Sequence, residues 1–546
     1  MRSRIYSILI MAALISSCKG DKNEPTVQAR QWEEIELVFK SDQQYANAYT
    51  NVDLYGIFET ENGEIIKRPG FWDGDDTWKI RFAAPDADQK YVYTTYCNDT
   101  SNLGLHGQRG KIHSVSYQGS NKLIKNGFLK LSPGKRNLQH ANGKPFLLVG
   151  DTPWALPWRA TYQNVQTYAQ DRQSKGFNAA LLMTVQPDRE AEGPDARETE
   201  KGFARAFKDL SEGHINNIRI DYFQYYDSLT QILINHGIIP VHQPVFHGFG
   251  WKGKQVLGWN MVPEEYVRYS KYLLARYGAR PAFWLVSGDS DGNGPGVEAA
   301  GQMIEEWDSY QQPAGIHYNP FDKPCDNRST CGHLNKNHQD EQWLDFQWCQ
   351  TGHGGKHIYY KVVEMYENTP VKAVANGEST YEGIRNPENG AAWWQGEEAW
   401  MQLMHGSTMG FVYGAGGLWQ WKITADEEGW PEWANSNVSW REALDLEGST
   451  YVGYLSKALA GLEITDMKKI WDQAGGKPCL GIPGKLYIAF LENGGKINLS
   501  GLNQQLSYHW FNPVSGDWND SGQVESEVME LEAPNQDPWV LIVKEE

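Results

Sequence analysis

The sequence predicts a multidomain protein: a central (β/α)8 TIM barrel flanked by two antiparallel β-sandwiches. Three observations support this fold class. The chain has 546 residues, more than a single hydrophobic core usually serves. Between residues 122 and 462, eight apolar strand segments alternate mostly with amphipathic helical segments. On both sides of that region, Gly, Asn and Asp clusters separate short alternating runs, as in antiparallel sheets.

The first residues have the pattern of an export signal. Arg2 and Arg4 precede an apolar run that is too short to span a bilayer. The following "ISSC" resembles the lipobox of bacterial lipoproteins, which implies removal of residues 1–17 and lipid attachment at Cys18. We then expect a tether over 18–30 and a lipid-anchored location in the bacterial cell envelope, periplasmic or on the outer-membrane surface. An ordinary signal cleaved nearby is the alternative.

Residues 31–118 are predicted to form the first sandwich. The runs "EIELVFKS", "NVDLYGIFET", "TWKIRFAAP" and "KYVYTTYCN" are short and alternate in polarity. Within them, "FWDGDDTWKIRF" resembles the immunoglobulin-like domain that precedes many bacterial glycoside hydrolase barrels. We therefore expect an immunoglobulin-like β-sandwich.

Residues 122–462 are predicted to form the barrel. The strand segments are "PFLLVGD", "FNAALLMTV", "IIPVHQPVF", "AFWLVSGD", "AGIHYNP", "WLDFQWCQ", "VKAVANGE" and "GFVYGAGGLWQW". A long polar stretch separates the fifth from the sixth, and helical segments such as "EEYVRYSKYLLARYG" end in Gly, as helices often do. A doubly wound sheet is the alternative, but it rarely needs eight strands, and no GxGxxG motif follows the first segment.

Residues 464–546 return to the strand pattern of the first sandwich. The runs are "KLYIAFLEN", "GKINLS", "LSYHWFNPVSG" and "PWVLIVKEE". They predict a small C-terminal β-sandwich.

Composition argues against one class of partner and leaves another open. The formal net charge is −18, without a dense Lys/Arg block, which argues against nucleic acid as a partner. The 23 Trp and 28 Tyr residues suit contact with sugar rings, although most large aromatic residues form hydrophobic cores.

Candidate site residues follow from the barrel, because TIM-barrel active sites lie at the carboxyl ends of the strands. Those ends carry acids, amides, imidazoles and aromatic rings, with no serine nucleophile elbow and no phosphate-binding loop. We therefore predict a pocket for a neutral polyhydroxylated ligand. For Asp151, bracing the first loop is an equal alternative to binding. The predicted substrate-binding residues are Asp151, Trp154, Gln186, Gln243, His247, His317, Gln350, His353, Tyr381, Glu382 and Trp419.

The fourth predicted strand ends at Asp289 and the seventh at Glu378. These two strands face each other across the barrel mouth. Such a pair of carboxylates commonly cleaves glycosidic bonds. We assign Glu378 as the nucleophile and Asp289 as the acid/base, with a pKa raised by burial or by its partner's charge. Glu378 could instead pair with Arg385, and Glu382 could be the nucleophile in place of Glu378. We expect Glu382 to orient its neighbours.

A calcium loop is the rival interpretation of the segment that contains Asp289. Asp289, Asp291 and Asn293 occupy alternate positions, as in an EF-hand loop. The bidentate Glu that an EF-hand needs at position twelve is Ala300 here, and a strand precedes the segment instead of a helix.

Zinc is the rival interpretation of two other segments. His353 and His357 have the i, i+4 spacing of zinc ligands, but the two glycines between them disfavour a helix. Cys325 and Cys331 lie near two histidines, but their spacing matches no standard zinc finger, and we favour a disulfide or free thiols. We predict no metal and no cofactor.

Several motifs resemble the apiosidase-like (β/α)8 glycoside hydrolases, which comprise glycoside hydrolase family 140 and uncharacterised relatives. They are "NGKPFLLVGDTPW", "GFNAALLM", "WLVSGD", "LDFQWCQTGHG" and "NGESTYEG", and they span the barrel in order. The resemblance implies a glycosidase with an aspartate after strand four and a glutamate after strand seven, which correspond to Asp289 and Glu378. Ser287 stands where the family usually has Gly, and Ser379 where it usually has Pro.

We therefore expect a membrane-anchored, monomeric glycoside hydrolase that acts on a complex polysaccharide or its oligosaccharides. Retention of configuration is expected, because strand-four and strand-seven acids pair closely in barrels that this one resembles. A catalytically silent surface glycan-binding lipoprotein is the alternative. A calcium-stabilised adhesion protein is a third interpretation.

Overall fold

The structure is a computed structural model that describes residues 26–189, 205–248, 252, 255–320 and 337–545. One compact unit comprises the N-terminal strands with residues 271–280 and 306–310, and a second comprises the remainder of the barrel region with the C-terminal strands. The predicted fold class, a barrel between two β-domains, is confirmed. The predicted signal peptide and Cys18 lie outside the described residues.

The N-terminal unit is a seven-stranded sheet folded around a shared core. The strand Ile65–Trp72 pairs with one neighbour through residues 65–69 and with another through 70–72, so it connects the two halves. Both halves contribute to a core that includes Leu37, Phe58 and Trp78. In spatial order the strands are Thr26–Arg30, Arg109–Val115, Lys90–Cys97, Leu54–Thr60, Ile65–Trp72, Thr77–Ala83 and Glu34–Lys40, with a short helix at Ala48–Asn51.

One boundary needs correction. The predicted tether over 18–30 includes the strand Thr26–Arg30, which pairs in parallel with Arg109–Val115. These residues are therefore part of the first β-domain, because their backbone hydrogen bonds extend its sheet.

Eight parallel strands close into the barrel, and β1 pairs with β8. Every residue of β2, β3, β5 and β6 is buried, because helices cover parallel barrel strands outside and side chains fill the interior. This explains the continuous apolar runs in the sequence. The strands are β1 Leu148–Asp151, β2 Ala179–Met183, β3 Ile239–Gln243, β4 Phe283–Ser290, β5 Ala314–Tyr318, β6 Phe346–Gln350, β7 Ala373–Glu378 and β8 Gly410–Tyr413.

The longer helices of the described chain follow the strands. They are α1 Tyr162–Ser174, α2 Ile220–Asn235, α3 Pro263–Tyr277, α4 Val297–Trp307, α5 Tyr360–Glu367, α6 Trp393–His405 and α7 Gly448–Leu459. A small sheet of Leu129–Leu131, Leu138–His140 and Pro145–Phe146 precedes β1. Short helical turns are Lys122–Lys125, Leu156–Arg159, Leu210–Glu212, Gly258–Asn260, Glu432–Ala434, Glu442–Asp445 and Trp471–Ala474.

The C-terminal strands form two sheets around one core that includes Trp510 and Trp539. The first sheet contains, in spatial order, Lys468–Lys469, Cys479–Ile482, Leu486–Leu491, Trp539–Glu545, Leu506–Phe511 and Trp518–Gln523, and the second pairs Lys496–Ser500 with Val528–Glu532. This small sandwich packs on the barrel: Trp400 of α6 stacks on Phe490, with ring centroids 6.2 Å apart.

Within the described ranges, no helix combines the length and the apolar character that crossing a bilayer requires. Cys97, Cys349 and Cys479 are buried free thiols. Cys325 and Cys331, predicted as a disulfide or free thiols, lie outside the described residues.

Candidate active site

A pocket opens among the loops that follow the barrel strands, and it contains about 420 Å³ of empty space. Asp289 of β4 and Glu378 of β7 both line it. The remaining lining is mostly aromatic and apolar. Its described residues are Trp154, Met183, Pro187, Phe246, His353, Tyr381, Ile384, Trp419 and Trp433.

Glu378 is the last residue of β7, and a β-bulge places it. The register with β6 shifts between Asn376 and Glu378, which leaves Gly377 as an extra residue in the strand. A Cβ atom at Gly377 would lie 1.6 Å from Nε1 of Trp348, so a side chain there cannot be accommodated without displacing the tryptophan. The glycine of "NGE" therefore allows the bulge to form against a buried ring.

Asp289 lies at a second bulge, near the end of β4. The register with β5 shifts between Ser287 and Ser290. A Cβ atom at Gly288 would lie 1.3 Å from the amide nitrogen of Gln243, which is fully buried and packs against this glycine. Asp289 has a φ of 50°, a left-handed conformation that is uncommon outside glycine. Its side chain is half-buried in the pocket wall.

Two histidines contact the two oxygens of Glu378. Nε2 of His353 lies 2.9 Å from Oε1, and Nε2 of His317 lies 3.1 Å from Oε2. Nδ1 of His353 accepts the backbone N–H of Tyr381 at 3.4 Å. In its neutral form His353 therefore carries its proton on Nε2 and donates to Glu378.

The environments of the two acids separate their pKa values. Burial would raise the pKa of Glu378, but the contacts with His317 and His353 outweigh it and hold the pKa well below its usual value. Burial, together with the negative charge of Glu378, raises the pKa of Asp289 to about 7. Between the two pKa values, Glu378 is ionised while Asp289 retains its proton, which is the division expected of a nucleophile and a general acid.

Three of the predicted binding residues form aromatic walls of this pocket. Trp154, Tyr381 and Trp419 all line it. Nε1 of Trp154 donates to the hydroxyl oxygen of Tyr381 at 2.8 Å, which fixes both rings. The rings of Tyr381 and Trp419 have centroids 6.4 Å apart. Flat apolar faces with polar edges suit the hydrogen-rich faces of sugar rings.

Asp151 lies behind the pocket wall and is fully buried. Its Oδ2 accepts from Nε of Arg172 at 2.5 Å and from the Tyr168 hydroxyl at 3.3 Å. Its Oδ1 accepts the backbone N–H of Thr152 at 2.7 Å. These contacts favour the bracing role for Asp151 and leave it no access to a ligand in the pocket.

Glu382 likewise serves the scaffold. Its carboxylate accepts from the Tyr413 hydroxyl at 2.6 Å and from the backbone N–H groups of Ala392 at 2.8 Å and Gly448 at 3.2 Å. It thereby connects the end of β8 to the starts of α6 and α7. This matches the expectation that Glu382 orients its neighbours, and it leaves Glu378 as the acid in the pocket.

Five other predicted amide and imidazole ligands, unlike His353, lie outside the lining: Gln186, Gln243, His247, His317 and Gln350. Gln186 accepts the backbone N–H of Ala206 at 3.1 Å. His247 is fully buried, with Nδ1 3.3 Å from the hydroxyl of Ser287, and burial lowers its pKa to about 4. Gln350 is buried beside Glu378 in the strand register. Gln186 and His247 therefore contact scaffold groups, and none of these side chains lines the pocket.

Five lining residues were not predicted from the sequence: Met183, Pro187, Phe246, Ile384 and Trp433. Met183 ends β2 and Phe246 follows β3, so the strand-end rule would have found both if apolar residues had been included. Trp433 lies twenty residues beyond β8 in a tryptophan-rich loop. Its position depends on how that loop folds back, which no local pattern shows.

The rival metal sites find no support in the described residues. Asp291 accepts from the backbone and side-chain nitrogens of Asn293, whereas Asp289 lines the pocket. Across the parts of the chain that the structure describes, no group of three or more His, Cys, Asp or Glu side chains is arranged to hold a metal ion.

Solved structures share this fold. A glycoside hydrolase is 19% identical, with a TM-score of 0.61, over 77% of this chain and 97% of its own. A putative glycoside hydrolase from Bacteroides vulgatus ATCC 8482 is 16% identical, with a TM-score of 0.68, over 95% of this chain and 100% of its own. At these identities the likeness shows the fold alone.

Family models give a more specific result. Residues 28–98 match DUF5060, a domain of unknown function. Residues 132–466 match the apiosidase-like catalytic domain. No curated protein matches the chain. Because the second match covers more than half of the sequence and includes the whole barrel, the protein belongs to the apiosidase-like family and is a glycoside hydrolase.

Proposed function

We propose that this glycoside hydrolase cleaves a complex polysaccharide or its oligosaccharides with retention of configuration. Glu378 is the nucleophile and Asp289 the acid/base. The observation that carries the proposal is the pair itself: two carboxyl groups from opposite strands line one pocket, and their surroundings move their pKa values in opposite directions.

In the first step, protonated Asp289 gives its proton to the glycosidic oxygen while the Glu378 carboxylate attacks the anomeric carbon. The bond to the leaving sugar breaks, and a glycosyl ester forms on Glu378. In the second step, Asp289 removes a proton from water, which attacks the same carbon and releases Glu378. The contacts from His317 and His353 favour the ionised form that both the attack and the release require.

The pocket walls support a carbohydrate ligand. Trp154 and Trp419 offer aromatic faces, and the charged and imidazole groups are concentrated at Asp289, Glu378 and His353. A neutral sugar fits this arrangement, because its ring faces are apolar while its hydroxyls need only a few fixed polar partners.

The proposal extends to location. The lipobox-like "ISSC" supports acylation at Cys18, and two or more acyl chains anchor a protein stably to a membrane. Labelling with a fatty acid in a bacterial host tests this: wild type should carry the label, and Cys18→Ser should not. A labelled Cys18→Ser variant would contradict it.

The central experiment measures sugar release from a panel of plant and algal polysaccharides. Wild type should release product, and Glu378→Gln and Asp289→Ala should each lose roughly 10³-fold or more of the rate. On substrates with an activated aryl leaving group, Asp289→Ala should recover much of the first step, because such a group needs no proton. Glu378→Gln should not recover.

Asp291→Asn is the matched control, since Asp291 lies two residues from Asp289 and its carboxylate accepts from Asn293. It should keep wild-type rates. The anomeric configuration of the first product, followed by NMR, reports retention. An active Glu378→Gln variant would overturn the site assignment, and a wild type that binds glycan without releasing sugar would favour the glycan-binding alternative.

A further inference from the structure

The segment between β6 and α5 carries a histidine at each end of a short glycine-rich loop. We call residues 352–357, "GHGGKH", the histidine loop. His353 contacts Glu378 in the pocket, with 2.9 Å between Nε2 and Oε1. His357 contacts a second buried glutamate, Glu398 of α6, with 2.6 Å between Nδ1 and Oε2. The loop therefore joins the pocket to a charged site outside it.

The outer end of the loop is fixed by several contacts. Glu398 is fully buried, and its other oxygen accepts from Nε2 of Gln402 at 2.7 Å. The same Gln402 nitrogen donates to the carbonyl of Ile358 at 2.8 Å. The ring of His357 stacks on Trp394, with centroids 4.6 Å apart and planes 12° apart. Moving His357 would leave a buried carboxylate without its cationic partner.

The charges around His357 favour its protonated form. Burial alone would lower the pKa of His357, but Glu398, Glu397 at 3.5 Å and the charge of Glu492 outweigh it and raise the pKa. Burial raises the pKa of Glu398, and the hydrogen bond from His357 offsets part of that effect. The pair forms a partly buried ion pair at the base of the loop.

The middle of the loop has little rigidity of its own. It contains Gly354 and Gly355, and Gly355 has a φ of 65°. Two side chains hold it. The Thr380 hydroxyl oxygen accepts the N–H of Gly355 at 3.0 Å, and the hydroxyl donates to the carbonyl of Gly352 at 3.0 Å. Nδ2 of Asn389 donates to the carbonyl of His353 at 3.3 Å. The position of His353 thus depends on these contacts together with those at the outer end of the loop.

We infer that His357 and Glu398 are positioning residues for hydrolysis: they fix the outer end of the histidine loop and thereby hold His353 against Glu378. Neither residue lines the pocket. The inference rests on the proposed role of Glu378, because it concerns how that carboxylate is held. It also gives His357, which the sequence offered as a rival zinc ligand, a role in the reaction.

The test is a double-mutant cycle on kcat and KM. His357→Gln should lower kcat about tenfold with KM nearly unchanged, since a displaced His353 holds Glu378 less well. The acid limb of the kcat/KM profile should also move to higher pH, because Glu378 would lose part of the contact that favours its ionised form. His353→Ala should show the same changes, and the double variant should be no worse than His353→Ala.

His405→Gln is the matched control. His405 lies on the same helix as Glu398 and stacks on Tyr359, with centroids 4.3 Å apart, but it bonds to the backbone of Met401 rather than to the loop. It should leave kcat and the acid limb unchanged. Glu398→Gln, which keeps the shape of the side chain, should lower kcat and move the acid limb as His357→Gln does. Agreement between the two variants would show that the effect does not come from misfolding of one of them.

Additive losses from His353→Ala and His357→Gln would overturn the inference, because they would show that His357 acts without His353. An unchanged kcat in His357→Gln would also overturn it. Failure of the proposed function is a separate result: an active Glu378→Gln variant would remove the nucleophile assignment whatever the coupling between the histidines.

Discussion

The ends of β4 and β7 each present an acid to the pocket by means of a β-bulge, but the two acids differ in the direction of their pKa shifts. Each strand carries a β-bulge, each has a glycine pressed against a side chain of the neighbouring strand, and each presents an acid to the pocket directly after that glycine. Asp289 nevertheless has a raised pKa and Glu378 a lowered one. Both follow a bulge glycine, but Asp289 has a left-handed backbone conformation that Glu378 lacks, and their surroundings differ.

The difference lies in the groups that contact each carboxylate. Imidazole nitrogens lie beside both oxygens of Glu378 and favour its ionised form. Asp289 is affected first by burial and then by the negative charge of Glu378, and both favour the protonated form. The same bulge therefore positions either a base or an acid, and neighbours on other strands determine which.

The largest effect should come from removing the bulge glycine of β7. Gly377→Ala places a Cβ atom 1.6 Å from Trp348, a rigid buried ring, and should cost roughly 10²-fold in kcat/KM through misplacement of Glu378. Gly288→Ala meets the end of the flexible Gln243 side chain and should cost less. Gly143→Ala is the control, since its Cβ would meet nothing within 4 Å and Gly143 lies outside the barrel, in the turn between Leu138–His140 and Pro145–Phe146. Equal losses in the two bulge variants would contradict the comparison.

An intermediate effect should follow from removing one imidazole from Glu378. His317→Asn should lower kcat about tenfold and shift the acid limb of the kcat/KM profile to higher pH, because the pKa of Glu378 rises when the contact at Oε2 is lost. His247→Asn removes another fully buried histidine, one without a contact to Glu378. It should destabilise the protein without moving the acid limb, and a shift in both variants would refute the assignment.

The smallest effect concerns stability. Folding raises the pKa of Asp289 from 3.8 to about 7. Its favourable contribution to the free energy of unfolding is therefore present below pH 4 and is lost as pH rises through 7. Asparagine stays neutral at every pH, so Asp289→Asn should raise the melting temperature relative to wild type by about 2–4 °C at pH 8, and by less at pH 5. Thermal scans at both pH values, with Asp291→Asn as reference, measure it. An equal difference at both pH values would show that Asp289 does not change its ionisation between pH 5 and pH 8, which would contradict the raised pKa.

Much of the architecture could be predicted from local sequence. Seven of the eight barrel strands lie within the predicted segments, and β4 extends one residue beyond its segment, to Ser290. The agreement follows because strands buried on both faces are mostly continuous apolar runs. The rule that barrel sites lie at strand ends then placed Asp289 and Glu378 in one pocket. The same rule could not separate the residues that line the pocket from those behind its wall. Trp154 and Tyr381 line the pocket, whereas Asp151 and His247 lie behind it.

The sequence by itself determined the order of the domains, the strands and the positions of the two acids, because hydrophobic periodicity and strand ends are local properties. The tertiary structure alone decided which polar groups face the pocket and which face the scaffold. It also decided the protonation of the acids, because the partners of Glu378 lie 61 and 25 residues earlier in the chain, at His317 on β5 and His353 in the loop after β6. Charge and burial act through space, and no local pattern records which distant side chains will meet.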